Sequence, residues 1–151
     1  MLQFLKELLW LVIALIIAVL VQLPIISEIE YKYVIANTLM IFISVYYFRT
    51  VLDFKNMFFF KLKWVKYFLF ALNLFLFVFI VTRIQKILLF FELFTISSYS
   101  KSVNVLSSEK EVFLLNYIQK EYLFFSLFSL LIIVVLNTKI IASFWNNEPK
   151  F

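Results

Sequence analysis

Residues 8–26 read LLWLVIALIIAVLVQLPII, nineteen residues without a charge. A helix needs about 20 apolar residues to cross the roughly 30 Å hydrocarbon core of a bilayer, and this stretch qualifies. Three more do so further along. The second covers 33–52, and the third covers 64–82, uncharged between Lys66 and Arg83. The fourth covers 122–144, interrupted only by Lys139 near its end. In lipid every backbone N–H and C=O must find its partner within the chain, which a helix achieves by itself. The reading is an all-α integral membrane protein, a four-transmembrane-helix bundle forming one domain over 1–151.

The first stretch has the charged start and apolar centre of a secretory signal, but no small-x-small cleavage site follows it. The stretch closes with Leu23, Pro24, Ile25 and Ile26 and runs on into Ser27 and Glu28, so an uncleaved first span is expected.

Composition agrees. The chain is 65% hydrophobic and 15% charged, with a mean hydropathy of +1.02, where a soluble domain is about half apolar. Cys, His and Gly are all zero. No disulfide, thiol chemistry or thiolate metal site is available. The commonest general base and transition-metal ligand is missing. So are glycine-lined filters, phosphate loops and GxxxG packing. No cofactor is expected. The 21 Phe, with abundant Ile, Leu, Lys and Asn, suggest AT-rich coding and hint at a bacterial inner membrane, although an organelle genome would give the same bias.

Charge placement sets the orientation. With four spans, both termini and the loop between spans two and three share one side. That side carries eight basic residues against three acidic ones, and the other carries six of each, so the whole net charge of +5 lies on one face. Basic flanks mark the cytoplasm, which puts both termini there. Trp10, Trp64 and Trp145 fall near the same face, as interfacial aromatics should.

The third and fourth helices look longer than the bilayer requires. No Pro or Gly interrupts the chain from Arg83 to Thr95, and a Ser-rich loop follows over 95–108. Ser108-Glu109-Lys110-Glu111 then has the capping-box pattern. Each overhang is about 13 residues, or about 20 Å. An antiparallel hairpin over 83–121 is expected on the extracytoplasmic side. It would bring Arg83 and Lys86 near Glu121, and Glu92 near Lys110.

Candidate sites are few. Gln22, Asn37, Ser44, Asn73, Ser129 and Asn137 are polar residues within or beside the spans, and such residues usually hydrogen-bond between helices. Ala14 and Ala18 form a small-xxx-small pair suited to close helix approach. A transport path normally adds an ionisable residue at mid-depth, and none is present. Lys55, Lys61, Lys63 and Lys66 interleave with aromatics in the loop DFKNMFFFKLKWVK. They are candidate contacts for anionic lipid, although positive-inside orientation alone accounts for them. Nucleic acid is not expected, because no binding module fits in so short a loop.

Ser126 or Ser129 with Lys139 is not a catalytic dyad. The separation of 10 to 13 residues is about 15–20 Å along one helix, far beyond hydrogen-bond reach. The sequence therefore points to a non-catalytic accessory or assembly subunit of a larger membrane complex. Docking would use the hairpin, lipid-facing helix surfaces and the Ala14/Ala18 face. The alternative is a homo-oligomeric channel or carrier, with Ser44, Asn73 and Ser129 lining a path between protomers. Partners are membrane lipids and other membrane subunits, or further copies of the chain.

Overall fold

A computed structural model describes residues 2–90 and 107–145. Helix α1 runs Leu2–Ile26, α2 Val34–Leu52, α3 Lys63–Phe90 and α4 Ser108–Trp145, with a short 3-10 turn at Phe58–Lys61 before α3. All four are long and apolar enough to cross a membrane, and no strand is formed among the described residues. The chain is an integral membrane protein.

The helix ends follow local chemistry. Pro24 falls in the last turn of α1, where its missing N–H forgoes the bond to the carbonyl four residues back and the helix ends two residues later. Two turn bonds, from Ser27 N–H to Leu23 and Ile29 N–H to Ile25, then close the corner. Asp53 stops α2, and its N–H donates to the Arg49 carbonyl at 3.0 Å. At α4 the Ser107 carbonyl accepts from Glu111 N–H at 3.0 Å. The cap is thus one residue earlier than the Ser108 capping box implies. Glu109 and Glu111 remain in the first turn, where their charge complements the helix dipole.

The helices pack in the order α1–α2–α4–α3. The α2–α4 pair is the most extensive interface, α1 lies on α2, and α3 lies on α4. In the apolar stretches of both α1 and α3, 22% is buried within the chain, against 44% for α2. The two flanking helices therefore leave most of their surface to lipid.

The main core joins Met40, Ile43 and Tyr47 of α2 to Ile132, Ile133, Leu136 and Ile140 of α4, with Leu76 and Ile80 of α3. Met57 and Phe60 fold in from the loop between α2 and α3.

A second apolar cluster forms around the first turns of α4. Leu114, Leu115 and Ile118 of α4 are buried against Ile25, Ile29 and Tyr31 at the corner between α1 and α2. Tyr117 Oη donates to the Val21 carbonyl at 2.8 Å, and Lys110 Nζ lies 3.5 Å from Glu28. The first turns of α4 are therefore held by the α1–α2 corner. Segment 91–106, with Glu92, lies outside the described residues. At 28 and 38 residues, α3 and α4 are about 42 and 57 Å long, well beyond the hydrocarbon thickness.

Candidate functional site

The polar side chains form separate layers along the bundle, each tying helices together. In one end layer Arg49 of α2 and Glu7 of α1 form a two-pronged ion pair, Nη1 with Oε2 and Nη2 to Oε1 at 2.8 Å. The two side chains are only 9% and 11% exposed. Arg49 also lies 3.6 Å from Asp53, which Lys6 reaches at 3.4 Å. The Trp10 ring faces the guanidinium at 5.7 Å, within cation–π range. Hydrogen bonds from Asn56 and Lys6 hold the Asp53 carboxyl below its ordinary range. Each charge in this network thus has an opposite charge beside it.

At the same end Lys139 Nζ donates to the Val51 carbonyl at 2.6 Å. A cation on the last carbonyls of a helix is favoured by the dipole. Lys66 is buried, its ammonium 5.6 Å from the centre of the Phe144 ring. Of the four loop lysines, Lys55, Lys61 and Lys63 are the exposed ones.

Deeper in, Ser129 Oγ donates to the Met40 carbonyl at 2.8 Å and lies 2.9 Å from Ser44 Oγ. Ser44 Oγ also reaches the Phe125 carbonyl at 3.1 Å. Two small side chains at 0–1% exposure thus let α2 and α4 approach closely. Asn73 of α3 donates to Asn137 Oδ1 of α4 at 2.8 Å. Interhelical bonds of this kind contribute about 0.6 kcal/mol on average and up to about 1.7. Asn73→Leu is expected to lower unfolding stability in micelles by an amount in that range, and a larger loss would mean that Asn73 does more than join two helices.

Toward the other end Gln22 Nε2 donates to Thr38 Oγ1 at 2.7 Å, and Asn37 Nδ2 donates to Glu121 Oε2 at 2.8 Å. Arg83 stacks on Phe79 of its own helix at 5.1 Å. Lys86 is exposed. Among the described residues Glu121 bonds to α2, and Lys110 pairs with Glu28 at the α1–α2 corner.

Two findings bear on the readings from sequence. Ala14 and Ala18 are fully buried within the chain, which withdraws the docking contact expected of that face. Ser44, Asn73 and Ser129 are likewise buried at 0–1% exposure and bonded across their own helices. A path between protomers requires such groups on the outer surface.

Two grooves open sideways. One of about 630 Å³ lies between α1, α2 and α4, walled by Phe48, Phe124, Phe125 and Phe128, with Lys6, Trp10, Arg49 and Asp53 among its lining residues. The other, about 320 Å³, is lined by Tyr46, Tyr47, Met57, Phe60, Trp64 and Phe68. Both are lined mainly by apolar side chains. The charged groups of the first are already engaged with one another.

The Glu7–Arg49 pair and the Glu121–Asn37 bond are absent from the sequence reading. The first had a signal, namely opposite charges near the same end of two consecutive antiparallel spans. The second had none, because Glu121 stands at the edge of an apolar run with no marker of the face it occupies. Comparison with protein-family models, curated proteins and solved structures gives no match for this chain.

Proposed function

We propose that this chain is a non-catalytic accessory or assembly subunit of a larger membrane complex, set in a bacterial inner membrane with both termini cytoplasmic. The placement rests on the basic surplus of five residues at the terminal face. The observation that carries the functional reading is the first part of α4. It is anchored by Leu114, Leu115 and Ile118 on the α1–α2 corner, yet it presents Val112 and Phe113 at 58% and 62% exposure. With the last 23 or so residues of α4 filling the bilayer, those two side chains stand on the outer side, beyond the hydrocarbon. An apolar pair held rigidly in that position suits contact with another protein's surface.

Among the described residues the polar side chains of the bundle join this chain's own helices, as a packing role requires. Val112→Glu with Phe113→Glu tests the proposal. Both positions are exposed, so folding is expected to change by no more than about 0.5 kcal/mol, while a co-purifying membrane partner is lost. Retention of that partner at the wild-type ratio would overturn the assignment of this surface.

A further inference from the structure

Glu121 and Asn37 share a hydrogen-bonding deficit that one proton removes. Asn37 is fully buried and Glu121 is 7% exposed. A single bond joins them across the α2–α4 seam, from Asn37 Nδ2 to Glu121 Oε2 at 2.8 Å. The remaining oxygen of each, Glu121 Oε1 and Asn37 Oδ1, is buried with no hydrogen-bond partner. A carboxylate has only acceptors, and the amide oxygen is another. In the charged state, therefore, two acceptors stand orphaned on residues already in contact. Buried polar groups carry a desolvation cost unless bonded, and a buried charge costs far more unless it is paired. Among the described residues no Lys or Arg forms an ion pair with Glu121.

We infer that Glu121 holds a proton, making it a neutral carboxylic acid paired reciprocally with the Asn37 carboxamide. The proton sits on Oε1 and is donated to Asn37 Oδ1, while Asn37 Nδ2 continues to donate to Oε2. Both acceptors are then satisfied, and no charge remains in the seam. The pair is then a one-proton binding site built between two helices.

The surrounding groups suit this state. Tyr117 lies one turn earlier on α4 and donates its Oη to the Val21 carbonyl at 2.8 Å. Tyr33, at the head of α2, packs against the apolar cluster at the α1–α2 corner, and Arg83 of α3 stacks on Phe79. Phenols stay neutral below about pH 10 and a guanidinium stays charged throughout, so none of these groups takes up or releases a proton near neutrality. From α1, Gln22 reaches this part of α2 and is bonded to Thr38.

Difference infrared spectroscopy of wild type against Glu121→Gln, in nanodiscs at neutral pH, tests the inference. The carbonyl stretch of a protonated carboxylic acid is expected in wild type and lost in the variant. The variant should melt at the wild-type temperature, because the glutamine amide supplies the same donor and acceptor. A difference spectrum showing only carboxylate bands would overturn the inference, with or without dependence on added sodium. So would a marked fall in the melting temperature of Glu121→Gln, since the charge itself would then be holding the seam. Should that variant fail to insert, wild type against Asn37→Leu gives the same decision. The acid band should shift as its O–H loses its acceptor, and an unchanged band would overturn the pairing.

Discussion

Arg49→Met is expected to destabilise the folded chain by about 3–5 kcal/mol, the typical cost of removing one partner from a buried ion pair. The two-pronged bond to Glu7 joins α1 to α2 with both side chains about nine-tenths buried. Without the guanidinium, the Glu7 carboxylate stays between two helices with no cation facing it. Asp53, partly exposed, relaxes into solvent and adds little.

The double variant Glu7→Gln/Arg49→Met should recover most of the loss, because buried pairs replaced by neutral groups are often close to neutral overall. Arg49→Lys should lie between, as an ammonium keeps the charge but not the planar fork. Reversible unfolding in mixed micelles, followed by circular dichroism, measures all three. Equal losses for Arg49→Met and the double variant would mean that packing, not the orphaned charge, dominates.

Ser129→Leu is the second large effect expected. Ser129 is fully buried and bonds to both the Met40 carbonyl and Ser44 Oγ. Its small size sets the distance between α2 and α4, the central pair. A leucine at this fully buried position enlarges the side chain between the two helices, and overpacking of this kind costs about 1–3 kcal/mol. Loss of the interhelical hydrogen bonds adds about 0.6 kcal/mol each on average. Ser129→Ala keeps the size and removes only the bonds, so its loss should be confined to that smaller contribution. If alanine and leucine proved equally harmful, hydrogen bonding rather than close approach would be the role of Ser129. Unfolding midpoints of the two variants, measured side by side, decide this.

The fold was legible where lipid imposes it. Uninterrupted apolar runs place four helices, and their limits agree with α1 to α4 to within a few residues at most ends. The length of α4 was also readable, because nothing after Ser108 breaks a helix before Pro149. Helix neighbours were not readable. Hydropathy reports depth but not which face of a span turns inward, so nothing in the sequence assigns Ser44 and Asn73 their separate partners.

Register carries more information than hydropathy alone. Glu7 lies 19 residues before Ile26 and Arg49 lies 15 residues after Val34, about 28 and 22 Å from the shared corner. Opposite charges at nearly equal depth on consecutive spans point to a pair. The docking of Leu114, Leu115 and Ile118 on the α1–α2 corner had no comparable signal. That contact joins residues about 90 positions apart, and both α3 and the α1–α2 corner offered apolar surface to receive it.

Extraction of the native chain into nanodiscs, with the mass and all co-purifying chains determined, tests the accessory-subunit proposal most directly. A foreign membrane subunit present at fixed stoichiometry, and lost with Val112→Glu/Phe113→Glu, is the predicted result. A particle containing only copies of this chain, with no other protein bound, would contradict it.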